Sequence, residues 1–267
     1  MEVLQNNFNK YVPVGPLTVE SGLVAEDGMS NKEVLILTAI SFAVFHFLNR
    51  GISSSEVVVA KNASTLSSFV HSVTSSLLVS AALVLNAGLF WNFQMEEVFF
   101  SHVGNVARIW STGYFLSDLY DMLASGVYKK ALGLVAHHLA CIVSLGAGAL
   151  CGLYAPIHVL FLAAELNSTF LHLRALFRFS NVDPRSAKWR VNSALFWFTF
   201  WTCRMGVSAV IFYILYSYSH LFVANWHVVL AVIGTCVITG ANFYLIFQVR
   251  NGDRRYLRKY RSAAKDS

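Results

Sequence analysis

Apolar residues run in seven blocks along the chain, at about 34–49, 66–90, 106–127, 131–151, 155–173, 193–217 and 222–248, with short polar stretches between them. Roughly 20 apolar residues is the length an α-helix needs to cross the ~30 Å hydrocarbon core of a bilayer. A helix also satisfies its backbone polar groups internally, as the bilayer demands. The pattern therefore predicts an all-α membrane protein of about seven transmembrane helices. The third block is the least apolar, because Asp118 and Asp121 both fall in it. Polar residues inside the blocks recur at helical spacing: Tyr114, Asp118 and Asp121 in the third, His158, Glu165, Thr169 and His172 in the fifth, Thr235, Thr239 and Asn242 in the seventh. Such spacing puts each set on one helix face, and each face is expected to line a cavity. Gly148-x-x-x-Gly152 gives the fourth helix a small-residue face suited to close helix approach.

Composition strengthens the membrane reading. The chain is 56% hydrophobic and 13% charged, with a mean hydropathy of +0.54, against roughly 25% charged residues in soluble domains. The net charge of +6 is unevenly placed. Sixteen of the 20 Lys and Arg fall in the loops after blocks one, three and five and in the tail, while Glu2, Glu20, Glu26, Asp27, Glu33, Glu96 and Glu97 gather on the other side. By the positive-inside rule the basic side is cytosolic. Residues 1–33 are then a lumenal or extracellular tail, 34–60 a first transmembrane helix and cytosolic loop, 61–250 a six-helix membrane domain, and 251–267 a basic cytosolic tail facing anionic lipid. The first span is expected to act as an uncleaved anchor, since no basic region leads directly into a signal-like apolar core. The endoplasmic reticulum is the expected location and the plasma membrane the alternative. The sequons at Asn62 and Asn167 fall in a cytosolic loop and inside a span, out of reach of glycosylation. Cys141, Cys151, Cys203 and Cys236 lack metal or disulfide spacing, so no metal site is expected and core packing is their default role.

The chemistry lies in the ionisable residues embedded in these spans: Asp118, Asp121, His137, His138, Glu165 and Arg204. A charge at the bilayer centre is costly and usually faces a bundle interior or a water-filled path. At ~1.5 Å rise per residue, His71, His137 and Asp121 lie roughly 10 Å in from the basic end, Asp118 and Glu165 ~13–16 Å, and Arg204 ~18 Å. A single polar layer is predicted, with Tyr114, Asn167, Thr169, His172 and Asn242 bordering it. A direct Glu165–Arg204 pair across helices is expected, because a lone charge would be expensive there. Three carboxylates against one arginine would still leave the layer net negative, so a histidine must be cationic or a carboxylate protonated. His137 and His138 are about 100° apart on their helix and cannot be equivalent; one is expected to react or bind and the other to orient it. A plain packing role stays open for His71, His158 and His172.

The run Gly113-Tyr114-Phe115-Leu116-Ser117-Asp118-Leu119, the pair His137-His138 and the segment Leu162-Ala163-Ala164-Glu165-Leu166-Asn167-Ser168-Thr169-Phe170, with His71-Ser72 upstream and Arg204 downstream, resemble a TLC-domain protein over about residues 60–250. That family includes the ceramide synthases and less characterised TLC-domain-containing proteins. The resemblance implies a six-helix bundle or barrel preceded by one extra helix, with a lipid-sized cavity open to the cytosol. It aligns His137 and His138 with the paired histidines of an N-acylation site, and Asp118 and Asp121 complete the candidate catalytic set. Acyl-CoA would be the co-substrate, with no permanently bound cofactor and with Arg174, Arg178, Lys188 and Arg190 as contacts for its phosphates or for anionic lipid. The departure is Glu165 and Asn167, where ceramide synthases carry paired aspartates. Two functions follow: an acyl-CoA-dependent lipid N- or O-acyltransferase, or a non-catalytic protein that binds, senses or transfers lipid to control membrane composition. Membrane lipids and acyl-CoA are the expected partners, a homo-oligomer is compatible, and nucleic acid is not expected.

Other membrane classes fit less well. A G-protein-coupled receptor would carry Asp-Arg-Tyr after helix three and Asn-Pro-x-x-Tyr in helix seven, where this chain has Asn242-Phe243-Tyr244. One His-His pair supplies too few ligands for a di-iron hydroxylase. A transporter would be expected to show inverted repeats or paired broken helices.

Overall fold

The computed structural model describes residues 29–53, 60–85, 102–222 and 224–263. The N-terminal tail through residue 28, Glu96, Glu97 and Lys265 lie outside them. The helices are α1 (Asn31–Ser53), α2 (Ala60–Leu85), α3 (His102–Ala124), α4 (Leu132–Leu150), α5 (Ala155–Leu162), α6 (Ala164–Phe179), α7 (Ala187–Thr199), α8 (Val207–Ser217) and α9 (Asn225–Ala263). With α5–α6 and α7–α8 each taken as one span, six helices among the described residues are long and apolar enough to cross a membrane. The protein is an all-α, multi-pass membrane protein, and α3 is the seventh long helix of the bundle.

The low hydropathy of α3 has a structural cause. It packs against α1, α2, α4 and α5, and Asn105, Arg108, Ser111, Thr112 and Ser117 along it are all buried. A helix surrounded by protein can spend polar side chains on its neighbours, whereas its partners must present apolar groups to lipid. On α1, accordingly, Leu35, Ile36, Ile40, Val44 and Phe47 point outward, while Ser41 and Phe45 turn in. Phe45 sits among Trp110, Tyr114 and His71, with ring centroids 4.8, 5.1 and 5.7 Å away.

Gly113 sets the approach of α1 to α3. A Cβ there would lie 2.4 Å from Ser41 Cβ and 2.7 Å from the Phe42 backbone nitrogen, and the Ser41 hydroxyl donates to the Trp110 carbonyl at 2.7 Å. Gly113→Val should push the helices apart and cost about 1–3 kcal/mol, the usual range for overpacking. A lowered thermal midpoint in detergent is the expected reading; an unchanged midpoint would show that α1 does not dock there. Gly148 is a second close approach: its missing side chain leaves room for His158, whose Cε1 would lie 2.2 Å from an added Cβ. Gly152 has φ +64° at the turn after α4, a left-handed conformation that glycine adopts without strain.

Two irregularities shape the second half. The α5–α6 span is interrupted at Ala163, whose N–H is shared between the Val159 and Leu160 carbonyls. Between α7 and α8 the chain makes a seven-residue π-helical turn, Phe200–Gly206, with Arg204 in it. Finally, α9 continues for 39 residues, ~58 Å at the helical rise and well beyond the ~30 Å core. Its basic extension is tied down: Tyr256 stacks on Trp189 at 5.2 Å and its hydroxyl donates to the Val182 carbonyl at 2.8 Å.

Candidate functional site

The embedded polar residues meet in a polar cluster between α2, α3, α4, α6 and the π turn. His71 of α2 is fully buried, stacked on Tyr114 with centroids 3.8 Å apart. Its Nε2 meets the hydroxyls of Ser75 and Ser111 at 3.0 and 3.2 Å, and its Nδ1 lies 3.7 Å from Glu165 Oε2. The Tyr114 hydroxyl donates to Ser68 at 2.8 Å. This row of serines on α2, Ser68, Ser72, Ser75 and Ser76, was not singled out as a group from the sequence. Its 3- and 4-residue spacing was a readable signal of a hydroxyl-lined face.

The two adjacent histidines have different surroundings. His138 is buried, with Nδ1 donating to the Leu134 carbonyl at 2.7 Å and Nε2 only 2.9 Å from Asp118 Oδ2. The carbonyl can only accept, so a proton sits on Nδ1, and Nε2 lies at ion-pair distance from the carboxylate without an aligned hydrogen bond. His137 has no oxygen partner among the described residues. It is exposed, edge-on to Phe115, with Cys141 Sγ 3.7 Å from Nε2. The packing role expected of Cys141 thus becomes a place beside the free imidazole.

Arg204 does not pair directly with Glu165, contrary to expectation. The π turn aims its guanidinium at three uncharged acceptors: Nε donates to Asn167 Oδ1 at 2.7 Å, Nη1 to Asn242 Oδ1 at 3.0 Å and Nη2 to Ser168 Oγ at 2.9 Å. Asn167 is itself fixed by donating to the Phe196 carbonyl and Thr199, which accounts for a buried asparagine at this position. Glu165 and His172 stay within the field of Arg204, and Thr169 turns its hydroxyl back to the Glu165 carbonyl at 3.2 Å.

Asp121 leaves this group. It accepts from Asn49 of α1 at 2.6 Å and lies 3.7 Å from His46 Nδ1, so the predicted stripe Tyr114, Asp118, Asp121 splits. Asp118 and Asp121 are about 60° apart around the helix, and that rotation suffices here because α3 is flanked by α4 on one side and α1 on the other. The negative excess expected of the layer is thereby reduced: Asp121 is elsewhere, and Asp118 lies at ion-pair distance from His138. His158 is also apart, held by Ser144 at 3.1 Å against Gly148. Thr235 and Thr239 bond to carbonyls of their own helix at 2.7 Å, leaving Asn242 as the member of that stripe that reaches the layer.

At the basic end, Arg174 and Arg178 are engaged rather than free. Both pair with Asp253, Arg174 through Nε at 2.9 Å and a second short contact from Nη2, Arg178 through Nη2 at 2.9 Å. Arg174 also lies 4.7 Å from the Trp189 ring centroid. Of the four residues expected to meet phosphates, Lys188 and Arg190 are exposed.

A family model for the TLC domain matches residues 61–250. TLC domain-containing protein 2 of Danio rerio is 25% identical over 250 residues, 89% of this chain and 100% of that protein. TLC domain-containing protein 2 of Mus musculus is 40% identical over 83 residues, 31% of this chain and 26% of that protein. TLC domain-containing protein 1 of Gallus gallus is 28% identical over 127 residues, about half of each chain. No solved structure matches the chain. The matched segment holds every residue of the polar cluster, from His71 on α2 to Asn242 on α9, and the chain belongs to the TLC-domain family.

Proposed function

We propose that this protein acts on membrane lipids inside the bundle, as an acyl-CoA-dependent lipid acyltransferase with His137 as general base. The observation that carries this reading is the inequality of the histidine pair: His138 is engaged by Leu134 and Asp118, while His137 is exposed and has no oxygen partner among the described residues. In the reaction the amine or hydroxyl of a lipid attacks the thioester carbonyl and loses its proton to His137. The new amide or ester bond replaces the carbon–sulfur bond, and the CoA thiolate leaves with that proton. His138, held by Asp118, acts by positioning its neighbour. A positioned base of this kind contributes typically 10²–10⁴-fold. The basic end, read as cytosolic, suits the entry of a water-borne acyl-CoA, and the exposed Lys188 and Arg190 are its candidate phosphate contacts.

A second reading, non-catalytic lipid binding that adjusts membrane composition, is favoured by one observation: a cleft between α6 and α9 reaches His172 from the side of the bundle. Lipid profiling separates the two. Expression of the wild-type chain should shift the acyl composition of cellular lipids, and His137→Ala should not. Equal shifts from both proteins would exclude catalysis at His137 and leave the binding reading.

A further inference from the structure

At the basic end, the cleft between α6 and α9 encloses about 530 Å³, with His172, Ala175 and Arg178 on one wall and Tyr244, Phe247 and Arg255 on the other. That is a volume typical of small-molecule sites. Its charge is unbalanced. Asp253 is shared by Arg174 and Arg178, one carboxylate for two guanidiniums, and Arg255 adds a further exposed cation at the rim. The nearest carboxylate along the chain, Asp183, accepts from the Arg185 backbone N–H at 2.8 Å and does not line the cleft. Arg178 Nε is buried and has no hydrogen-bond partner among the described residues. Gly252 admits the guanidinium, since a Cβ there would lie 3.0 Å from Arg178 Nη1. A buried donor without an acceptor is costly, and an anionic oxygen would satisfy both it and the excess charge.

The other half of the cleft suits hydrocarbon. Tyr244 and Phe247 are largely exposed on α9, and Phe247 lies eight residues from Arg255, ~12 Å along the helix. A charged group at the rim with apolar surface that far below it matches a phosphate with its acyl chains in the membrane. We infer that this cleft holds a membrane phospholipid, its phosphate between Arg178 and Arg255 and its chains along Tyr244 and Phe247. The inference shares with the proposed function only the assumption that the chain handles lipid, and it is read by binding, so it stands or falls apart from turnover at His137.

The test is a titration of the purified full-length protein in detergent with dioctanoyl phosphatidylcholine, with dioctanoylglycerol, inorganic phosphate and palmitoyl-CoA as competitors. The phosphatidylcholine should bind, with dioctanoylglycerol at least about tenfold weaker, as loss of a charge-assisted contact implies. Arg255→Gln should weaken binding by a similar factor, and Ala175→Trp, which fills the cleft, should abolish it; Ala175→Leu serves if the tryptophan variant does not fold. Equal affinity for dioctanoylglycerol, displacement by inorganic phosphate at the same concentration, tighter binding of palmitoyl-CoA, or unchanged binding in both Arg255→Gln and the folded Ala175 variant would each overturn the assignment.

Discussion

Arg204→Met should deplete folded protein more than any other single substitution in the bundle. The guanidinium ties α6, the π turn and α9 together through Asn167, Ser168 and Asn242, and all three of those residues are buried. Methionine fills similar space and offers no donor. Each polar group left buried without a partner costs about 1–3 kcal/mol. The summed penalty is several kcal/mol, a large share of the 5–15 kcal/mol typical of net stability. Monodisperse yield and thermal midpoint in detergent check this. Arg204→Lys should fall between, because one ammonium cannot span three acceptors set out for a planar fork. A wild-type midpoint for Arg204→Met would show that the hydrogen-bond set does not hold the bundle.

The second large effect is a split between neighbours. His137→Ala should lower turnover by about 10²–10⁴-fold while keeping the thermal midpoint near that of wild type, since the ring has no oxygen partner to orphan. His138→Ala should lower both, because Asp118 and the Leu134 carbonyl lose their shared partner. If His138→Ala proved the thermally silent variant and His137→Ala the unstable one, the roles assigned to the pair would be reversed.

The spans were legible because lipid imposes a uniform demand on every outward surface: 31–53, 60–85, 132–150 and 155–179 lie close to the apolar blocks, whereas 225–263 starts with the seventh block and runs 15 residues past its end at 248. The pattern was faintest in α3 for the same reason, since that helix meets protein instead of lipid. The interruptions were not legible. Ala163 has no side chain that marks a break, and the π turn inserts its extra residues in Phe-Trp-Thr-Cys-Arg-Met-Gly without proline. That turn directs Arg204 to Asn167 and Asn242, so the expected Glu165 pairing failed for a backbone reason invisible to residue spacing. Depth along a helix brought Asp121 to the right height, but rotation about the axis turned it to Asn49. The asymmetry of His137 and His138 was expected; which of them is free depended on where Asp118 and Leu134 point. The tail read as solvated carries one packed face, because Asp253 and Tyr256 are spaced to reach Arg174, Arg178 and Trp189.

The most direct measurement is release of free CoA from a long-chain acyl-CoA by the purified protein, supplied with a total extract of membrane lipids as acceptor. The wild-type protein should release CoA in step with formation of acylated lipid, and His137→Ala, folded to the same extent, should release CoA no faster than the protein-free control. Equal release by the two proteins, or no release by the wild type under conditions where it still alters cellular lipid composition, would contradict acyl transfer at this polar cluster.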